Sequence, residues 1–266
     1  MDFQPHPVFP SLWLIGPRMG AAGPETVLTA LCKGTFTVDD PGATPLAAQE
    51  PIRVTDELLD ADGNLRHEHD LAPTKPHADA VVIGPPAPPA GAPGALVWTE
   101  RVELGGRILA AGFVVVDRAR PLTFGWVTRT ENPRLELAGT GLAGFDPTTQ
   151  LLPDGFDDRF HNGGQPPTSG GAVFEPPAPG SAIVVATAAG TEEDVFRLHL
   201  PAAFPRATLT RLNACDCPVD EDLPLRADTV VYDKTSARFT VVWRGARPLD
   251  PARLARFVRL RLRGGG

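Results

Sequence analysis

His67 and His69 stand two residues apart in a run of strand-like sequence. Alternation along a strand sets both imidazoles on one face. His77 or Asp79 could extend the pair, because zinc takes three or four converging ligands. Spacing fixes only the first two, and histidines on a hairpin otherwise face solvent. Cys215-Asp216-Cys217 leaves one residue between its thiols, whereas redox and zinc-knuckle motifs leave two. Two positions apart is poor disulfide geometry, and Cys32 makes the cysteine count odd, so free thiols and a reducing compartment are expected. Asp60-Ala61-Asp62-Gly63-Asn64 starts like a calcium loop but lacks its later acidic ligands, and reads as a turn. Gly139-Thr140-Gly141-Leu142-Ala143-Gly144 matches the dinucleotide glycine pattern. Phe145-Asp146-Pro147 follows it, and proline denies the helix that would receive a pyrophosphate. Asp154, Asp157 and Asp158 could serve as paired carboxylates but come with no cleft, and Ser169-Gly170-Gly171 lacks the strand and helix that strain a nucleophile. No active site assembles from these parts. No catalytic residue, metal or cofactor is expected, and a metal-assisted hydrolase using the His67/His69 hairpin stands as the enzyme alternative.

The elements that would position such residues have a period of two. From Val27 to Val38, Leu28, Ala30, Cys32 and Phe36 fall on one face, and Thr29, Lys33, Thr35 and Thr37 on the other. Residues 52–60 and 65–71 flank Asp62-Gly63-Asn64, a tight-turn sequence that predicts a hairpin. Residues 97–104 and 107–116 are separated by Gly105-Gly106 alone, which fits a two-residue primed turn. Further strands are predicted over 80–83, 182–188, 195–200, 208–213, 229–232 and 238–243, with a hairpin at residues 233–237. Asp250-Pro251 predicts one helical turn. A strand follows in which Val258, Leu260 and Leu262 alternate with Arg259, Arg261 and Arg263. Residues 85–94 and 163–180 are Pro/Gly-rich and read as irregular surface loops. The expected fold is all-β: an antiparallel β-sandwich or open barrel, a single domain over residues 1–266 with long Pro/Gly-rich loops and little helix.

Composition agrees. Of 266 residues, 27 are glycine and 30 proline, too many for a helical bundle, while 42% hydrophobic residues suffice for a sizeable core. No apolar run approaches the roughly 20 residues that span a bilayer, so no membrane segment is expected. Met1 to Pro10 carries no Lys or Arg, and Leu12 to Ile15 is too short for a signal-peptide core, which with the thiols favours the cytoplasm. The net charge of -7 disfavours nucleic acid, whose phosphates call for Lys and Arg. The charge is uneven: from Arg244 onward arginines dominate, and residues 246–266 form a basic C-terminal extension. Three arginines on one face of a strand, Arg259, Arg261 and Arg263, would make an edge that repels self-pairing and attracts an acidic partner.

Several segments in order carry a family resemblance. Lys33-Gly34-Thr35-Phe36 ends an apolar strand. Asp70-Leu71-Ala72-Pro73-Thr74-Lys75-Pro76-His77-Ala78-Asp79 precedes another, and Val116-Asp117-Arg118 closes the Gly-Gly hairpin. Leu152-Pro153-Asp154-Gly155-Phe156-Asp157 comes next, with Phe160, Asn162 and Gln165. Ala227-Asp228-Thr229 and Val242-Trp243-Arg244-Gly245 complete the set. Over residues 27–245 the chain resembles the DUF2169 family, whose members are encoded near type VI secretion spike components. The stretch after Asp117-Arg118 is shorter than the family's usual insert, with Phe124-Gly125-Trp126 and Asn132-Pro133 in its place.

The resemblance implies a cytosolic adaptor or chaperone without enzymatic activity. Such a protein helps load a toxic effector onto the spike, a trimeric spike protein or PAAR-type tip, of a type VI or related contractile secretion system. Its partners would be the effector and the spike or tip protein. Lys33, Lys75, Asp79, Arg259, Arg261 and Arg263 are the expected partner-binding residues. Phe156 and Phe160 would anchor a glycine-rich loop. A structural component of the injection particle is the other reading.

Overall fold

The longest pairing in the molecule joins β3 (Gly23–Thr37) to β15 (Arg238–Leu249), twelve residue pairs running antiparallel from Thr26↔Leu249 to Thr37↔Arg238. Around this axis builds a six-stranded sheet in the order β2-β3-β15-β14-β6-β9, with β2 at Ser11–Gly20, β14 at Arg226–Asp233, β6 at Asp79–Ile83 and β9 at Arg134–Ala138. A second sheet, of four strands, has the order β1-β16-β12-β13, where β1 is Asp2–Gln4, β16 Phe257–Arg263, β12 Arg206–Leu212 and β13 Pro218–Leu223. A third runs β11-β10-β7-β8, with β11 at Glu192–His199, β10 at Ala182–Ala189, β7 at Ala95–Leu104 and β8 at Arg107–Asp117. The short strands β4 (Glu57–Leu58) and β5 (Leu65–His67) pair with each other. The computed structural model describes residues 1–20, 23–55, 57–58, 65–67, 69–71, 78–83, 95–104, 107–117, 134–138, 176–189, 192–234, 236–250 and 256–264.

The fold is all-β in a single domain, with no α-helix among the described residues. Among the described residues no sheet closes into a barrel. The three predicted hairpins form: β7 meets β8 at Leu104↔Arg107, β4 meets β5, and β14 meets β15 at Asp233↔Arg238. Two pairings are parallel, β1 with β16 and β14 with β6, so the sheets are not purely antiparallel. The sequence reading left out β1, β2, β9 and β13. In β2 the apolar residues Leu12 to Ile15 are consecutive, and Gly16, Pro17 and Gly20 follow. In β13 the run Pro-Val-Asp-Glu-Asp-Leu is rich in poor strand formers. Neither shows clean alternation. The Asp250-Pro251 turn, both Pro/Gly loops and the Gly139–Gly144 segment lie largely or wholly outside the described residues.

One apolar core is shared by strands of all three sheets. Trp243, wholly buried at its centre, has Phe9, Phe36 and Phe204 around it at centroid distances of 5.3, 6.1 and 5.8 Å. Phe196 of β11 meets Tyr232 of β14 at 5.4 Å. Two hydrogen bonds tie the end of β3 to β11: the Asp39 N–H donates to the Arg197 carbonyl at 2.8 Å, and the Arg197 N–H to the Asp39 side-chain Oδ1 at 2.7 Å.

The core explains two motif glycines. A Cβ on Gly34 would lie 2.8 Å from ring atoms of Phe36 and Trp243, and one on Gly245 would lie 2.6 Å from the Pro224 carbonyl oxygen. Both are places where only a hydrogen lets the neighbouring group approach.

Candidate functional site

The second face of β3 was expected to be a polar surface, yet Thr29, Lys33 and Thr35 are as buried as the apolar residues opposite them. The cause lies in how β3 is covered beyond the end of β2. The β2 pairing stops at Ser11↔Cys32, which leaves residues 33–37 of β3 without a strand on that side. Loop groups replace it. The Lys33 N–H donates to the Pro10 carbonyl at 3.0 Å, and the Leu46 N–H to the Thr35 carbonyl at 3.0 Å. Gln49 acts as a substitute peptide: its Oε1 accepts from the Thr35 N–H at 2.7 Å, while its Nε2 donates to the carbonyls of Thr35 and Leu46. The segment so attached seals the polar face.

Sealing this face encloses charge. Lys33, with no exposed surface, donates from Nζ to Asp70 Oδ2 at 3.0 Å. The same carboxylate oxygen accepts the Arg53 N–H at 2.8 Å, and the Asp70 N–H returns a bond to the Arg53 carbonyl at 2.8 Å. The Arg53 side chain pairs with Glu50 at 2.7 Å. Burial draws the Lys33 ammonium below its ordinary range, and the Asp70 charge opposes that pull. The second buried pair comes from β15 and β14. Arg244 forks onto Asp228, Nε to Oδ2 at 2.5 Å and Nη2 to Oδ1 at 3.5 Å, and the Thr229 hydroxyl donates to Oδ1 at 3.1 Å. Asp228 sits where the β14–β15 register shifts between Ala227 and Thr229. Such irregularities re-aim a side chain. Each pair neutralises itself with further hydrogen bonds, the condition for charge to be tolerated in an interior. Lys33, Asp70, Asp228 and Arg244 are buried, and their work is to hold loop to strand and strand to strand.

The expected partner-binding residues do not gather in one place. Lys33 is in this interior, away from the surface on which the sequence reading set it. Asp79 opens β6 in parallel register with Thr229, and Lys75 lies outside the described residues. Arg259, Arg261 and Arg263 do share β16. That strand, however, is no edge: β1 flanks it on one side and β12 on the other. The edge expectation failed because the chain's first residues return to pair beside its last strand, a contact between ends 257 positions apart. The arginines stand on a sheet face. Arg259 Nε meets Asp2 Oδ2 at 3.2 Å, Arg261 Nε donates to Gln4 Oε1 at 2.8 Å, and an Arg263 Nη donates to the Thr208 hydroxyl at 3.2 Å. Arg259 and Arg263 remain exposed and Arg261 half-buried.

His67 and His69 do not share a strand. β5 ends at His67, and His69 lies in the following loop, where its Nδ1 accepts the Leu71 N–H at 3.2 Å. His77 lies outside the described residues, as do Asp60 to Asn64, Asp154, Asp157, Asp158, Phe156 and Phe160. Among the described residues no three His, Cys, Asp or Glu side chains converge as a metal site, and no helix is long and apolar enough to cross a membrane.

Sequence reasoning quoted Asp70, Asp228 and Arg244 as motif residues without giving them a role. Lys33 and Asp70 are 37 positions apart, and Asp228 and Arg244 are 16 apart, separations with no local spacing signal.

A strand edge is open elsewhere. β2 ends the six-stranded sheet, and among the described residues no strand pairs with its outer side. Its Leu12, Trp13 and Leu14 are half-buried and Ile15 is 38% exposed. Among the described residues such an edge has no strand on its outer side, where an added strand could pair beside apolar side chains.

No curated protein and no solved structure matches the chain. A family model does, over residues 23–108 and 107–244, a span that holds Lys33, Asp70, Asp228 and Arg244 and stops before the arginines of β16. The chain therefore belongs to the DUF2169 family, described as uncharacterized proteins conserved in bacteria.

Proposed function

We propose that the protein is a non-enzymatic cytosolic adaptor or chaperone that helps load a toxic effector onto the spike or PAAR-type tip of a type VI or related contractile secretion system. The open, apolar edge of β2 is the observation that carries the reading. A loading adaptor must cover an extended, aggregation-prone segment of its cargo. Strand addition does this by giving main-chain hydrogen bonds along a free edge and side-chain contacts on alternate positions. Behind β2 lies the buried core, with Trp13 packed against it. The arginine row on the neighbouring four-stranded sheet supplies positive charge for an acidic partner surface, which acts on encounter rate and choice of partner more than on affinity.

The test is an affinity pull-down of the tagged chain from its native cells, with mass spectrometry of what accompanies it. A spike or tip protein together with one large toxin-like chain is expected. Ile15→Asp should sharply reduce that capture by placing charge on the free edge. Charge reversal at Arg259 and Arg261 should weaken capture at low salt and make it less sensitive to added salt. Undiminished capture by Ile15→Asp removes the β2 edge from the reading, and undiminished capture after the reversal removes the arginine row. Retention of the protein on purified particles would mark it as a structural component instead.

A further inference from the structure

Cys215 and Cys217 lie in the turn between β12 and β13. In an extended strand, residues two apart are separated by about 6.6 Å, which is why their spacing reads as unfavourable for a disulfide. The turn changes this. Its backbone is folded by Asp216 in the left-handed region at φ 59°, by the Asp216 N–H donating to the Asn213 carbonyl at 3.0 Å, and by the Asn213 N–H donating to the Cys217 carbonyl at 2.9 Å. The Asn213 side-chain oxygen accepts the N–H groups of Cys215 and Cys217, both at 3.0 Å. Arg256 clamps the turn from outside, bonding the carbonyls of Leu212 and Asn213 and pairing with Asp216 at 3.0 Å. The result is two exposed thiols with their sulfurs 2.8 Å apart.

We propose that Cys215 and Cys217 form a reversible dithiol–disulfide site that exchanges with low-molecular-weight disulfides. The thiols are inequivalent. With both thiols protonated the Cys215 thiol donates to the Cys217 sulfur; once Cys215 is ionised the Cys217 thiol donates back to it, which draws Cys215 below its ordinary range and pushes Cys217 above. Cys215 is thus the attacking sulfur and Cys217 the resolving one. In the first step the Cys215 thiolate attacks one sulfur of a disulfide RS–SR, forming the mixed disulfide Cys215–S–SR and releasing RS⁻. In the second, Cys217 loses its proton and its sulfur attacks the Cys215 sulfur, forming the Cys215–Cys217 bond and releasing the second RS⁻. The two thiol protons leave with the two RS⁻ groups as two RSH. The small disulfide is reduced and the protein dithiol oxidised. A disulfide closing so small a ring is strained, which places it among the labile, readily reduced class. Cys32 takes no part, because it is wholly buried and its thiol is pushed far up by desolvation.

The test equilibrates the reduced full chain with graded ratios of oxidised to reduced glutathione, read by intact mass and thiol mapping. The wild type is expected to lose two hydrogen masses, reversibly, with Cys32 still free. Cys217→Ser should stop at a mixed disulfide carrying one glutathione on Cys215. Cys215→Ser should likewise stop at one glutathione, carried on Cys217, and never close. Both variants alter exposed side chains, and an unchanged urea midpoint confirms that they fold. A wild type that accumulates stable mixed disulfide without closing, or stays reduced in excess oxidised glutathione, overturns the proposal. Mixed disulfide trapped early in the wild type and found chiefly on Cys217 overturns the division into attacking and resolving thiols.

Discussion

Removing the Asp70 carboxylate would leave the Lys33 ammonium enclosed without the countercharge that now sits 3.0 Å away. Asp70→Ala should therefore lower the unfolding free energy by about 3–5 kcal/mol in urea titration, the cost of an orphaned buried charge. The double variant Lys33→Met/Asp70→Leu should recover most of that loss, because the pair contributes far less than either partner left alone costs. A double variant as unstable as the single one would mean that the carboxylate's bond to the Arg53 N–H, and not the charge pairing, matters most. His6 adds a pH dependence at the same scale. Its Nδ1 accepts the N–H groups of Val8 and Phe9 at 3.1 and 3.0 Å, its ring stacks on Phe9, and burial holds its imidazole below the ordinary 6.5. The unfolded chain takes up the proton more readily than the folded one. The stabilisation is thus full above pH 6.5 and is lost as pH falls through the lowered folded value. Unfolding free energy measured against pH should fall more steeply below 6.5 for the wild type than for His6→Gln.

Elements impose their own limits, and the motif glycines show them. Gly34→Ala presses a methyl into the Phe36 and Trp243 rings, and Gly245→Ala presses one against a backbone carbonyl. Overpacking of this kind costs roughly 1–3 kcal/mol. The Gly245 variant should be the worse of the two, because a carbonyl in the chain cannot rotate aside as a ring can shift. Thermal or urea midpoints of the two variants, compared with an exposed glycine such as Gly42→Ala, check the order. Lys33-Gly34-Thr35-Phe36 and Val242-Trp243-Arg244-Gly245 meet across β3 and β15, where Lys33 pairs in register with Val242 and Cys32 with Trp243. Their residue types follow from that meeting: glycine for the approach of rings, aromatic residues for the core face, and charges for the sealed face.

At the scale of the molecule, Trp243 joins what the sheets bring separately. It touches Phe9 ahead of β2, Phe36 of β3 and Phe204 ahead of β12. Trp243→Ala should cost about 3–5 kcal/mol. Because the core is common to three sheets, the loss should appear as one earlier transition, with no sheet melting alone. Labelling of the Cys32 thiol offers a second probe, since that thiol is wholly buried among the same strands. Its exposure should coincide with the loss of tryptophan fluorescence in the wild type. Earlier labelling of Cys32 would show that the β3 side opens independently.

Composition and local pattern determined the class of fold. A period of two, the Gly-Gly and Asp-Gly turns and the surplus of glycine and proline sufficed for an all-β chain and for three of its hairpins, because strand alternation and turn chemistry are properties of neighbouring residues. The order of motifs likewise sufficed for the family. What only the tertiary structure decided is which surfaces are interior. Lys33 and Thr35 alternate with apolar residues as any exposed strand face would, and no local rule tells that Gln49 and Asp70 come to cover them. Arg259, Arg261 and Arg263 read as a free edge until β1 pairs alongside. Cys215 and Cys217 read as separate thiols until Asp216 turns the chain left-handed. In each case the deciding contact depends on a partner far along the chain or on a backbone dihedral, and neither is written in the spacing of residue types.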